Sequence, residues 1–279
     1  MKRRFILTAL LTLTALPAFA AGPAIDRVNG SNSLRCGYVE YEPALTKDLK
    51  TGQWHGFDYD IVQAITNRLD LKTEYAAATG WGTVAADLNA GKFDMLCSTF
   101  WVHPNVAKFA LFSRPAYFQP VFLVARTNDS RFDGTHLLND PTLTMVAVDG
   151  DNPVAIAKAD FPQAKISTLP NMTDPSQVLL AIADGKGDFT ITDAMTFGDY
   201  AEHNPGKLHI VNPDRPVRVY PSSYVFRSDD GQLRDAVNAA LDELILDGTI
   251  DRIMNKYDTH PNGYYRATVP YRNPYKQEK

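Results

Sequence analysis

Acids and aromatic rings recur in this chain beside its apolar runs, and their chemistry suits holding a cation better than breaking a bond. Tyr38, Glu40 and Tyr41 lie at the end of LRCGYVE, Trp81 precedes TVAADLN, and Ser98, Thr99 and Trp101 follow FDMLC. Asp151 and Asn152 fall in the turn DGDNP, and Asp193 follows FTIT. A carboxylate makes charge-assisted hydrogen bonds to an ammonium group, and an aromatic face attracts the same charge through its quadrupole. Tyr38, Tyr41, Trp81, Trp101 and Asp193 together therefore suit an amine or a quaternary ammonium. Each has an ordinary structural alternative: core packing for the rings, a helix N-cap for Asp193. No clear catalytic constellation stands out. The six histidines are scattered without the spacing of metal ligands, so no metal and no cofactor are expected.

The elements that must carry these residues alternate between strand and helix, which argues for α/β layers. Strands are expected at 34–40, 72–76 and 93–98, with helices at 58–69 and 83–89 between them. Ile61, Ile65 and Leu69 share one face of the first helix, and Gly91 stops the second. The order repeats further on: strand 143–148, helix 154–160, helix 176–183, strand 188–192. The loops LNAGKFD and IADGKGD each place a helix, a glycine and a strand in the same order, an echo that suggests two similar lobes. Near the C-terminus, Leu233, Val237, Leu241 and Leu244 make one apolar helical face. Asp247 and Gly248 break that helix, and Thr249 is placed to cap the next. In an open α/β sheet, ligands bind at the carboxyl ends of the strands, and the residues singled out above fall there.

The ends of the chain narrow the compartment. Lys2, Arg3 and Arg4 precede a largely apolar stretch, 5–16, then Pro17 and the small-residue pattern Ala18-Phe19-Ala20. This is the pattern of a cleavable secretory signal peptide over 1–20, too short to span a bilayer. No cysteine sits at the cleavage point, so a free periplasmic protein is expected rather than a lipoprotein. The chain as a whole carries a net charge of −4. The signal holds three basic residues and no acid, so the remainder is more acidic still. Nothing suggests a nucleic-acid partner, which would require a basic patch.

The stretch GFDYDIVQAITNRLDLKTEYAAATGWGTVAADLNAGKFDMLCSTF, 56–100, and the later SYVFRSDDGQLRDAVNAALDELILDGTIDRIMNKY resemble the family 3 extracellular solute-binding proteins, the soluble receptors of ABC importers. The resemblance covers 34–257. It implies a two-lobe periplasmic binding protein of type II, each lobe an open, mostly parallel sheet flanked by helices, joined by two crossover strands. Lobe 1 would comprise 28–118 plus 221–279, and lobe 2 would comprise 119–220. It further implies a monomer that binds a small amino-acid- or amine-like ligand in the cleft and presents it to a permease in the inner membrane. Tyr41 and Trp81 lie near the aromatic positions that flank the ligand in the family. Ser98 and Thr99 fall where lobe 1 offers donors, and Asp193 matches the lobe 2 carboxylate that pairs with the ligand's ammonium. Tyr38, Trp101 and Asn152 complete the expected ligand set.

One departure stands against these matches. The family's arginine, which grips the ligand's α-carboxylate, aligns with Val106, and valine cannot do that chemistry. Lys108, Arg114 and His103 are the nearby substitutes, and Glu40 takes the role of an acid near position 39 if the alignment slips by one. The two cysteines, Cys36 and Cys97, lie in strands of one lobe's sheet in that architecture. A disulfide and two buried free thiols both remain open. Two other functions compete with the receptor: a periplasmic adaptor or sensor, and a dehydratase acting on cyclohexadienyl substrates with Glu40, Glu42 and Asp193 as acid–base groups. The tail 258–279 carries four tyrosines and three prolines and has no functional reading.

Overall fold

The computed structural model describes residues 23–132, 139–261 and 263–268. The expected signal peptide lies outside them. The first half of the chain builds α1 (Ala24–Ser31), β1 (Ser33–Tyr38), a small hairpin of β2 (Thr46–Lys47) and β3 (Trp54–His55), and α2 (Phe57–Arg68). It continues with β4 (Lys72–Ala78), α3 (Val84–Asn89), β5 (Met95–Trp101), α4 (Pro104–Ala107), β6 (Ala110–Phe112) and the long β7 (Tyr117–Arg126). Next come β8 (Thr144–Val148), α5 (Asn152–Asp160), β9 (Lys165–Leu169), α6 (Pro175–Ala183), β10 (Phe189–Asp193), α7 (Ala194–His203) and β11 (Leu208–Val211). A second long strand, β12 (Arg218–Arg227), leads to α8 (Gly231–Leu246), α9 (Thr249–Tyr257) and β13 (Tyr265–Arg266).

The strands form one mixed sheet in the order β4-β1-β5-β12-β7-β10-β8-β9. Its outer portions are parallel: β1 with β4 and β5 on one side, β8 with β9 and β10 on the other. The two ten-residue strands β7 and β12 lie antiparallel at its centre, paired from Arg218↔Val121 to Ser222↔Tyr117. Further along, β12 pairs with β5, while β7 pairs with β10. The fold is thus a two-lobe α/β architecture whose lobes meet on two crossing strands.

Apolar spacing explains where the helices sit. Phe57, Ile61, Val62 and Ile65 of α2 are buried against Leu233, Val237, Leu241 and Leu244 of α8 in one core that also holds Cys36 and Cys97. These two cysteines are bonded across β1 and β5, with Cα atoms 5.3 Å apart. A separate core under β8 and β10 contains Met145, Ile156, Phe189 and Ile191. The sequence echo is also a geometric one. Gly91 and Gly185 both adopt left-handed φ, +68° and +75°, and end α3 and α6 with amide bonds to Leu88 and Ile182 carbonyls. That conformation favours glycine. One local expectation fails. The Thr249 side chain does not cap α9; Asp247 Oδ1 accepts from the Thr249 amide, and Thr249 Oγ1 instead accepts from Arg252.

Part of the C-terminal tail has a structural place. Tyr264 is buried edge-on against Phe57 and Tyr117, and β13 pairs with the start of β7.

Candidate functional site

A cavity of about 800 Å³, counting its open mouth, lies between the lobes at the carboxyl ends of β5, β8 and β10. Both lobes line it. Tyr41, Trp81, Ser98, Thr99 and Trp101 come from the first, and Asn152 and Asp193 from the second. Those seven expected residues are therefore brought together. Tyr38 is not: it stands outside the lining, its ring 4.6 Å from Trp54 and 6.1 Å from Tyr75. The pairing of β1 with β4 shifts register between Cys36 and Gly37. The extra residue there is Ala76 of β4, the strand whose Tyr75 neighbours the Tyr38 ring.

The second lobe presents carboxylates at helix N-termini, where helix dipoles and free amides favour negative charge. Asp193 caps α7. Its Oδ1 accepts from the amides of Met195 (3.0 Å) and Thr196 (2.9 Å). Its Oδ2 accepts from the Thr196 hydroxyl (2.8 Å) and, across the cleft, from the Tyr41 hydroxyl. Burial and the Asp193 charge together push the Tyr41 phenol well above its ordinary pKa, so it remains a donor. Asp151 caps α5 with one bond, from the Asn152 amide at 2.6 Å. Burial raises the Asp151 carboxyl to about 6, with a smaller contribution from the charge of Asp193. Asn152 Nδ2 reaches the Trp101 carbonyl at 3.4 Å, a second polar link between the lobes.

The first lobe presents aromatic rings and hydroxyls. Trp101 stacks on Tyr220 (5.3 Å, 7° between planes) and donates its indole N–H to Gln119 Oε1 at 2.7 Å. Trp81 stands edge-on to Tyr41. The hydroxyls are already engaged. Ser98 Oγ donates to the Val39 carbonyl (2.8 Å) and accepts from the Val39 amide (3.0 Å). Thr99 donates its amide (2.7 Å) and its hydroxyl (3.0 Å) to Asp58 Oδ2, and its Oγ1 is 2.5 Å from the Tyr117 hydroxyl.

Asp58 is the residue that sequence reading missed. It is 1 % exposed and lines the cavity. Its Oδ1 and the Tyr224 hydroxyl make no well-formed bond, but they stand within hydrogen-bonding reach of each other. Burial pushes the Asp58 carboxyl up to about 7, against the opposing effect of the two Thr99 bonds and, last, of the Tyr224 hydroxyl. As an acid in the first turn of α2, Asp58 looks in the sequence like an ordinary dipole-complementing residue. Only the fold brings it to the cavity. Gln119, Tyr117 and Phe100 also line the site unforeseen.

None of the lining side chains is basic. Val106 packs beside Phe100 in an apolar cluster. The proposed substitutes lie elsewhere: Lys108 is exposed, Arg114 pairs with Asp242 at 2.8 Å, and His103 accepts from the Asn105 amide to cap α4. Glu40 and Glu42 are exposed and outside the lining.

Two α/β lobes on crossing strands, with a cavity between them lined from both, define the class of two-lobe binding proteins. Residues 34–260 match the model of the bacterial extracellular solute-binding proteins, family 3, and the chain belongs to that family. A protein of Haemophilus influenzae named "Probable amino-acid ABC transporter-binding protein" is 27 % identical over 91 % of this chain and 96 % of its own length. The glutamate-binding protein GluB of Corynebacterium efficiens is 23 % identical over 88 % of this chain and 85 % of its own. Among solved structures, the ancestral amino acid-binding protein AncCDT-1, described as a precursor of cyclohexadienyl dehydratase, superposes with a TM-score of 0.72. It is 26 % identical, covering 84 % of this chain and 99 % of that one.

Proposed function

We propose that this protein is a periplasmic receptor that closes its two lobes on a small amino-acid- or amine-like solute and presents it to an ABC permease of the inner membrane. The observation that carries the reading is the cavity itself. It is lined from both lobes and bridged by Tyr41 to Asp193 and by Asn152 to Trp101. Contacts that form only when the lobes meet are what a ligand needs to drive closure. The relative named as a probable amino-acid ABC transporter-binding protein and the one named as a glutamate-binding protein support the same assignment. In this reading the lobe boundaries are those drawn from the sequence, 28–118 plus 221–279 and 119–220, residues 1–20 are removed on secretion, and the mature protein acts as a monomer. The site residues are Tyr41, Trp81, Thr99, Trp101, Asn152 and Asp193, joined by Asp58 and Asp151.

The protein is a binder rather than a catalyst in this reading. Two of the three acids that a dehydratase would use, Glu40 and Glu42, are exposed and away from the cavity. The test is a thermal-shift screen of the mature protein against amino acids, polyamines, quaternary amines and cyclohexadienyl acids. A ligand at about 100 times its dissociation constant adds about 2.7 kcal/mol of stability. A hit that is lost in Trp81→Ala supports the receptor. Turnover of a cyclohexadienyl acid would replace the receptor with the enzyme, and silence across the whole panel would remove the transport reading.

A further inference from the structure

The carboxylates of the cavity are not equally satisfied. Asp193 has four donors, three from its own helix and one from Tyr41. Asp151 has one, the Asn152 amide. Asp58, 1 % exposed, has two well-formed bonds, both from Thr99 and both on Oδ2, with the neutral Tyr224 hydroxyl in reach of its carboxyl and no charged donor beside it. A buried carboxylate without a counter-charge keeps most of its desolvation cost. Elsewhere this fold meets the same problem with arginine: Asp94, 2 % exposed, is held by Arg27 and Arg35. No basic side chain lines the cavity.

The donors that would greet a ligand's carboxylate are missing in the same place. Ser98 closes a loop of bonds with Val39, and Thr99 is committed to Asp58 and Tyr117. The uncommitted donors among the described lining residues are neutral, including the Gln119 amide, whose Nε2 is buried and unpartnered, and the Trp81 indole N–H. A neutral amide N–H cannot replace a guanidinium on a carboxylate. The walls between the acids are aromatic and aliphatic, with Trp81, Phe100 and Trp101 on one side and Val178, Leu179 and Ile191 on the other. Such walls suit methylene groups and cation faces.

Resting on the receptor reading above, we propose that the solute is an organic dication without a carboxylate group, a diamine-like molecule with one ammonium at Asp58 and the other at Asp151 beside the capped Asp193. An α-amino acid would bring a carboxylate against three acids and no base. A monoamine would leave one of the two open carboxylates without a partner. The groups facing Asp58 are neutral: Thr99 on β5, Tyr117 on β7, and Tyr224 on β12, with Tyr75 on β4 within electrostatic reach. Among the described residues no side chain brings a positive charge to the cavity, so the ligand supplies it.

The experiment pairs each amino acid with its decarboxylation product. Calorimetric titrations of the full mature protein at pH 8, low salt, use cadaverine against L-lysine, putrescine against L-ornithine, and n-pentylamine as the monocation. We expect each diamine to bind about tenfold or more tightly than its amino acid, and cadaverine to exceed n-pentylamine by a similar factor. Lysine or any other α-amino acid binding as tightly as its amine would overturn the dication while leaving a receptor in place. So would pentylamine matching cadaverine. No heat or thermal shift with any compound of either panel would bring down the receptor reading as well. Asp58→Asn should reduce the advantage of cadaverine over pentylamine to about twofold. Asp151→Asn, at a less buried position, gives the same readout if the Asp58 variant does not fold, and an advantage unchanged in Asp151→Asn would overturn the assignment of the second ammonium.

Discussion

The two lobes are alike at the ends of their strands far from the cleft and unlike at the ends that face it. At the far end, Asp94 opens β5 and Asp188 opens β10. Each amide bonds back to the neighbouring strand, Asp94 to the Arg35 carbonyl at 2.9 Å and Asp188 to the Thr144 carbonyl at 2.7 Å. Each carboxylate takes the amide of that same neighbour, at 2.8 Å in both lobes, and is held by two arginines: Arg27 and Arg35 in one, Arg126 and Arg131 in the other. At the cleft end the correspondence stops. Where the second lobe has the helix-capping Asp193, the first has Thr99, tied to the unbalanced Asp58. Shared chemistry at the far ends holds each lobe's sheet, and divergent chemistry at the near ends forms the site.

The largest effect expected from breaking this likeness is on the first lobe alone, which has a crosslink that the second lacks among the described residues. The Cys36–Cys97 bond closes a loop with a sequence separation of 61. The chain-entropy model gives it about 4 kcal/mol. Replacing both cysteines with serine, followed by urea unfolding, should show a loss near that size. A loss below about 1 kcal/mol would mean that the reduced chain keeps its own constraint.

Next in size are the two far-end acids. Asp94→Ala leaves Arg27 and Arg35, each about one-third exposed, to turn toward water, so a loss of about 3 kcal/mol is expected rather than the upper end for a buried pair. Asp188 is more exposed, at 19 %, and its replacement should cost less, about 1–2 kcal/mol. Neither substitution should alter ligand affinity. A change in affinity from either would show that the far ends are coupled to the cleft, contrary to the division of labour drawn above.

The order helix, glycine, strand at both far ends was legible in the sequence because a local rule makes it, whereas the arginine clamps on Asp94 and Asp188 were not, since they join residues distant in the chain. The periodicity of α2 and α8 was legible for the same reason, since their inward faces repeat every three or four residues. The site was only half legible. Residues at strand ends, such as Thr99, Trp101 and Asp193, could be placed by the general location of clefts in α/β sheets. Asp58 could not. Its importance depends on what α2 packs against, and an acid in the first turn of a helix has an ordinary explanation. Tyr38 was misplaced because a residue at a strand's carboxyl end can turn to the cleft or to neighbouring rings, and only the fold shows Trp54 and Tyr75 beside it. The engagement of Ser98 with Val39 was equally hidden, because a free and a bonded hydroxyl have the same sequence.

Asp58 also sharpens the comparison through pH. Its folded-state carboxyl lies near 7, above the ordinary value of about 3.9, so between those limits the folded protein binds the proton more tightly than the unfolded chain. Stability from this group is therefore greatest in acid and declines as pH rises toward 7, then stays level. Asp58→Asn removes the decline. The stability of the variant relative to the wild type should rise by about 2 kcal/mol between pH 5 and pH 8. A difference that stays flat across that range would mean that Asp58 is ionised throughout and already has a counter-charge.

The smallest effect on stability is expected at the lips of the cleft, where the lobes touch through backbone. Gly82 on the first lobe faces Gly150 on the second: a Cβ built on Gly82 would lie 3.5 Å from the Gly150 Cα, an ordinary contact. Gly150 has φ +78°, and a Cβ there would come within 3.2 Å of the Gly82 Cα. Alanine at 82 therefore fits, whereas leucine at 82 would extend into the opposite lip. Each lobe folds on its own side of that contact, so Gly82→Leu should change unfolding free energy by less than about 0.5 kcal/mol, as for other surface sites. Closure is another matter, because the bridges from Tyr41 and Asn152 form only when the lips meet. Affinity for the tightest ligand of the titration panel should fall about tenfold in Gly82→Leu. The radius of gyration with ligand present should stay at its open value. If Gly82→Leu binds as tightly as the wild type and still contracts in solution scattering, the two lips are not the contact that limits closure, and the difference between the lobes' near ends must act through the cavity walls alone.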